Sequence, residues 1–312
     1  VKAAFLAMVT GMLGLGVGLG LANTAQAETG RSLIGVGRIF DNDFLGDGHD
    51  RWRSGSYTLS AITGPDWDGQ LPASFGQLIE YRLSAEIITP GNLTTPPTTD
   101  RRYAGILTFG MHTHWSMGRT EASAGIDLNA TGPQTGIGHF QSSAHRAVGD
   151  TPPSTRVLDD QIGNAIYPTF VGEVGRSYDL GNAMSFRPFV GAEAGLETLV
   201  RVGGDLTIGQ FGRGDMLVRD AVTGQRYRAV RMNRTPGLSL VVGADVAHVA
   251  SSHLLPSDGP APLDPTRTRV RLGLHWQGER MAAFYGLTYL SREFKTQPEH
   301  QLVGSLHISL KF

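Results

Sequence analysis

A chain of 312 residues with 42 glycines, no cysteine and a formal charge of −1 can form neither disulfides nor thiolate metal sites. Its balance of 27 basic and 28 acidic residues gives no electrostatic ground for a nucleic-acid partner. After residue 30 no apolar run approaches the ~20 residues of a membrane helix, so a membrane crossing there would have to be made by strands.

Residues 1–27 read as a secretory signal: Lys2 gives a positive start, Ala3 to Ala22 an apolar stretch, and Ala25-Gln26-Ala27 a small-x-small cleavage site. One barrel domain is expected over 28–312. About twelve candidate strands follow, at 32–41, 55–63, 76–88, 103–113, 120–130, 166–178, 185–196, 199–209, 237–250, 267–277, 280–291 and 302–312. Several alternate strictly. Ile79, Tyr81, Leu83, Ala85 and Ile87 alternate with Glu80, Arg82, Ser84 and Glu86; Val270, Leu272, Leu274 and Trp276 alternate with Arg269, Arg271 and His275. Many such strands without a second apolar layer to cover them call for an apolar outside and a polar lumen.

The fold class expected is therefore all-β: a transmembrane antiparallel β-barrel of about twelve strands with a short helix in an extracellular loop. The helix spans 133–149. Gly132-Pro133 suits its start and Gly149-Asp150 its end, while Gln141 and His145, four residues apart, share one face and Phe140, Ala144, Ala147 and Val148 can pack on another. Residues 210–236 read as a long connection with room for a small hairpin; if they instead supply two transmembrane strands, the count becomes fourteen. The last strand ends on Phe312, a terminal aromatic that looks like the signal read by the outer-membrane barrel-assembly machinery. An even strand count with the amino terminus inside puts 42–54, 89–102, 131–165, 197–198, 251–266 and 292–301 at the outer surface.

Parity thus gathers Asn42, Asp43, Ser54, Gln141 and His145 at one end. The bland reading is an Asx turn beside an exposed hydroxyl and a loop histidine satisfied by a backbone carbonyl. The chemical one is a carboxylate, an amide and a hydroxyl as hard oxygen donors suited to calcium, beside a histidine that can take a proton from water. There is no Gly-x-Ser-x-Gly, no Walker loop and no His-Glu-x-x-His to favour another hydrolase. Arg51, Arg53, Arg101, Arg102, Arg146 and Arg156 in the outer loops suit a phosphorylated amphiphile or an ordinary solvated rim.

Asn42-Asp43-Phe44, Asp50-Arg51 with Ser54 and Leu59-Ser60, Asp100 to Gly105, Thr131-Gly132-Pro133, Gln141 with Ala144-His145-Arg146, Gly149 and Asp160-Gln161 occur in an order that resembles the LpxR-type lipid A 3'-O-deacylase family. The resemblance covers the amino-terminal half; beyond it only generic barrel strands match. It implies a twelve-stranded outer-membrane barrel and a calcium-dependent esterase acting on lipid A of lipopolysaccharide. His145 would be the general base, Asn42 and Asp43 would place oxyanion and metal, and Gln141 would support them. The chain departs from the pattern at Ser54, which follows Arg53 where a threonine follows a tyrosine, and at Leu158, where a tryptophan is common. It departs again at Thr151, where an acidic metal ligand is expected and Asp150 is the nearest carboxylate, and in 89–99, which lacks lysine. The resulting expectation is a monomeric outer-membrane esterase with its site outside: His145, Asn42, Ser54 and Gln141 catalytic, Asp43 and Asp150 on calcium. The alternatives are an inactive structural or narrow channel barrel and a calcium-dependent phospholipase, although His-x-Ser-Asn is absent.

Overall fold

A computed structural model describes residues 31–310, so the signal at 1–27 and Phe312 lie outside the described residues. The strands are β1 (Ser32–Asn42), β2 (Trp52–Gly64), β3 (Leu78–Thr89), β4 (Ala104–Met117), β5 (Thr120–Thr131), β6 (Ala165–Gly175), β7 (Tyr178–Gly181), β8 (Met184–Ala194), β9 (Glu197–Ile208), β10 (Met216–Arg219), β11 (Arg226–Val230), β12 (Gly237–Ser252), β13 (Thr266–Gln277), β14 (Met281–Leu290) and β15 (Gln301–Leu310). Two helices, α1 (Ile137–Val148) and α2 (Thr155–Asp159), lie between β5 and β6.

Antiparallel neighbours run β6-β5-β4-β3-β2-β1-β15-β14-β13-β12-β9-β8, and pairing of β6 with β8 closes a barrel of twelve strands. The short β7 pairs only with β8. All twelve expected strands are present, with ends that agree or differ by up to four residues; the expected end of the last strand at 312 lies outside the described residues. The alternation has the expected sense. Along β13, Val270, Leu272, Leu274 and Trp276 are 43–51% exposed, whereas Arg267, Arg269, Arg271 and His275 are buried. That is the inverse of a water-soluble sandwich and the arrangement a bilayer requires, because lipid offers backbone groups no hydrogen bonds and they have to pair within the sheet while the apolar side chains face out.

Residues 209–236 do not cross the membrane. Their hairpin, β10 paired with β11, enters the lumen from the end carrying the short turns. Arg219 on it pairs with Glu173 at 2.5 Å and Asp205 at 2.9 Å, and Tyr227 Oη meets Ser60 Oγ at 2.8 Å. Gly37 on β1 makes room: a Cβ there would lie 2.6 Å from the Arg228 carbonyl oxygen. A cavity of about 610 Å³ remains between hairpin and wall, lined by Arg82, His112, Glu173 and Arg187.

At the other end an ion-pair knot fills the lumen. Arg53 reaches Glu293 at 2.7 Å, Glu86 at 2.6 Å and Glu197 at 3.3 Å, Arg101 reaches Glu293 at 2.6 Å, and Arg267 reaches Glu197 at 2.8 Å. Of the six arginines expected on the outer rim, Arg53 and Arg101 are instead buried here, because each has a carboxylate on a facing strand or loop to neutralise it. Arg51 is also turned in, paired with Asp47 and stacked over Trp52. Only Arg102, Arg146 and Arg156 stay near the surface.

Candidate active site

The site sits above this knot, where β1 ends and β2 begins. Asn42 is extended and caps a single 3-10 turn, Asp43–Leu45, by accepting from Phe44 N at 3.0 Å; its amide nitrogen donates to the Ser54 carbonyl at 3.0 Å. Both amide groups are thus taken up by backbone, and Asn42 braces the two strands. Asp43 is 1% exposed and accepts from Arg51 N at 2.7 Å through Oδ2. Strand β2 starts with a left-handed Trp52 (φ 52) and an irregularity between Arg53 and Gly55, and this twist turns the Ser54 side chain toward Asp50.

Helix α1 closes the site from above. Ile137 anchors it among Ile87, Tyr103 and Val157, and Gln141 and Ser142 are its other buried residues. The apolar face expected from Phe140, Ala144, Ala147 and Val148 is not its docking face: Phe140 is 48% exposed. The helix docks through polar groups instead because Asp50 lies beneath it. Gln141 Nε2 donates to both Asp50 oxygens, at 3.3 and 3.4 Å, and His145 Nε2 lies 2.9 Å from Asp50 Oδ2. Ser54 Oγ donates to Asp50 Oδ1. Gly149, left-handed at φ 76, ends the helix and turns the chain so that the Thr151 carbonyl comes back to His145 Nδ1 at 2.7 Å.

A carbonyl can only accept, so Nδ1 carries a proton. A carboxylate likewise accepts, so the contact of Nε2 with Asp50 favours the protonated ring. The hydrogen bond to Asp50 correspondingly holds the His145 pKa above the ordinary imidazole value, against the opposing effect of burial. Burial pushes the Asp43 carboxyl well above the usual carboxylate range, and the neighbouring charge of Asp50 adds to this.

Two buried oxygens here have no hydrogen-bond partner, Asp43 Oδ1 and Gln141 Oε1. An acid pushed up by a like charge, and unpartnered oxygens beside it, fit a hard divalent cation such as calcium. Among the described residues no cluster of three or more His, Asp or Glu is spaced to hold a metal, so amide and backbone oxygens would have to complete the shell. Asp150 is not among the partners of Asp43. It is exposed, and its Oδ1 accepts from Thr151 N at 2.8 Å.

Of the residues singled out in the sequence, the structure therefore brings Ser54, Gln141 and His145 onto one carboxylate, sets Asp43 beside it, and leaves Asp150 at the helix end. The carboxylate itself, Asp50, stood in the sequence only as part of the Asp50-Arg51 motif, with no role attached to it. Its partners Gln141 and His145 are more than ninety residues away, and no periodicity reports such a contact.

The model of the family described as outer membrane protein LpxR matches residues 8–312. The chain belongs to the LpxR family. Its location is accordingly the bacterial outer membrane. LpxR from Salmonella typhimurium shares the fold, with a TM-score of 0.74 at 18% identity over 89% of this chain and 99% of that one. The KdgM porin (TM-score 0.40, 7% identity, 89% and 99% covered) and the translocator domain of the autotransporter NalP from Neisseria meningitidis (0.42, 10%, 100% and 97%) are more distant barrels. No curated protein matches the sequence.

Proposed function

We propose that this LpxR-family barrel is a lipid A deacylase that hydrolyses the 3'-linked acyl or acyloxyacyl ester at the extracellular end. The observation that carries the reading is the His145 ring, tied at Nδ1 by the Thr151 carbonyl and directed at Nε2 into the polar pocket formed by Asp50, Ser54 and Gln141.

Once Nε2 has lost its proton and no longer donates to Asp50, the Thr151 carbonyl keeps the ring in the Nδ1–H tautomer, and the Nε2 lone pair accepts a proton from a water that enters between the ring and Asp50. The water oxygen bonds to the ester carbonyl carbon. Collapse of the tetrahedral adduct breaks the carbon–oxygen bond to the sugar, whose leaving oxygen recovers the proton from Nε2, releasing the fatty acid. Asp50 stabilises the transient imidazolium, Ser54 and Gln141 hold Asp50, and Asn42 keeps β1 and β2 in register beside them. A divalent cation, calcium by the hardness of the oxygens, would be held by Asp43 and would stabilise the negative charge on the ester oxygen.

The test is fatty-acid release from lipid A by the purified barrel in detergent with calcium. His145→Ala is expected to fold, to keep its heat-modifiable gel mobility and to lose activity by roughly 10²–10⁴-fold. Undiminished release by that variant would overturn the assignment of the base.

A further inference from the structure

The seam where the barrel closes is unusually short. β1 and β15 pair only at Phe40 with Leu306, Asp41 with Ser305 and Asn42 with Gly304, all at the end that carries the site. Just past the last of these pairs, Gln301 begins β15 and turns its side chain into the site, where it is 2% exposed.

That side chain touches three parts of the 43–54 segment. Its Oε1 accepts from Arg53 N at 3.1 Å, and its Nε2 donates to the Arg51 carbonyl at 2.6 Å, the Arg53 carbonyl at 3.3 Å and Asp43 Oδ2 at 3.4 Å. The Arg53 N–H needs an acceptor and the two carbonyls need a donor, so the amide has one orientation only. Asp43 Oδ2 is shared between Gln301 and Arg51 N, while Oδ1 has no hydrogen-bond partner. The neighbouring loop is tied to the same side of the seam: Leu302 N donates to Asp47 Oδ2 at 3.1 Å and Tyr285 Oη to the Leu45 carbonyl at 2.7 Å.

We propose that Gln301 is a positioning residue for the reaction: it locks the backbone of Arg51 and Arg53 and occupies one oxygen of Asp43 so that the other is presented to the site. It acts through Asp43 and Ser54 and touches neither substrate nor the reacting atoms. The consequence is that the site is incomplete until the last strand has closed on the first, so an unclosed barrel is inactive. This proposal rests on the deacylase reading for its effect on rate, but its structural part does not.

Gln301→Leu keeps the bulk and removes all four hydrogen bonds, and Gln301→Glu, ionised, keeps the acceptor for Arg53 N–H and loses the donor. Hydrogen exchange by mass spectrometry on the full barrel reads the structural part, and fatty-acid release from lipid A reads the functional part. In Gln301→Leu, exchange at 43–53 is expected to rise while β12 to β14 keep their protection, and activity to fall about 10–100-fold, as for other residues that orient a ligand. In Gln301→Glu, Arg53 keeps its protection and activity still falls. Unchanged exchange at 43–53, or loosened exchange with full activity, overturns the proposal. If the unmutated barrel releases no fatty acid the deacylase reading fails, and the exchange measurement alone decides whether Gln301 holds the segment.

Discussion

His145 is held between two acceptors, the Thr151 carbonyl and the Asp50 carboxylate, and this pairing has a consequence for pH. A base must be neutral to work, so activity is expected to rise with pH through a midpoint above the ordinary imidazole value of ~6.5. Asp50→Asn removes the main cause of the upward shift. Its pH–rate profile should therefore have its acid limb at lower pH, with a reduced plateau because the ring loses its partner. The same ion pair helps to dock α1. Since the His145 value is raised on folding, that contribution is fully present below ~6.5 and is lost as pH climbs through the raised value. Asp43 supplies the second prediction at this scale: Asp43→Asn, or chelation of calcium from the unmutated protein, should lower deacylation by on the order of 10²-fold, the usual cost of losing a group that stabilises an oxyanion. A calcium titration with unchanged activity in the presence of chelator would remove the cation from the account. His145, Gln141, Ser54 and Asp43 were legible in the sequence because they fall in short motifs in a recognisable order. Asp50 falls in one of those motifs but had no role there, and Gln301 falls in none; each is defined by partners that only folding brings near, 91 and 258 residues away in the case of Gln141 to Asp50 and Asp43 to Gln301.

At the scale of the element, α1 is a short helix whose end matters more than its length. Gly149 takes a left-handed conformation that accepts a glycine freely and penalises a side chain by about 1–2 kcal/mol. Its turn is what returns the Thr151 carbonyl to His145 Nδ1. Gly149→Val is therefore expected to lower activity several-fold without loss of the barrel. Steady-state rates beside gel mobility of the heated and unheated protein check this, and a normal rate would show that the tautomer is fixed in some other way. The helix end was readable from Gly149, whereas Gly132-Pro133 opens a separate 3-10 turn, Pro133–Thr135, and the helix itself starts at Ile137, four residues later than expected. Its docking face was not readable either. Hydrophobic spacing pointed to Phe140 and Val148, whereas the surface beneath is a carboxylate, which attracts Gln141 and His145 instead. The hairpin of 209–236 was equally ambiguous in sequence. Read from the sequence it could have added two wall strands; in the fold Arg219 pairs with Glu173 and Asp205 across the lumen, while Met216, Val218, Tyr227 and Ala229 pack on Ile39, Ile62 and Leu78 of the wall.

For the whole molecule, twelve strands with apolar residues outside and arginines, histidines and carboxylates inside were legible from two-residue alternation alone, because a barrel in lipid imposes that period on every strand. The lumen is occupied at one end by the hairpin and at the other by the knot around Arg53 and Glu293; on the proposed function, the site at the loop end is where a lipid headgroup and its ester would be met. The cavity of about 610 Å³ in the lumen is lined by none of the site residues. On the proposed deacylase reading, the chemistry therefore belongs to the rim and not to the lumen. Mass spectrometry of lipid A from cells carrying the chain tests this most directly. The account predicts a species that has lost its 3'-linked acyl or acyloxyacyl group, absent when the chain carries His145→Ala. Lipid A of unchanged mass with the unmutated barrel correctly inserted, or loss of acyl chains from glycerophospholipids instead, would contradict it.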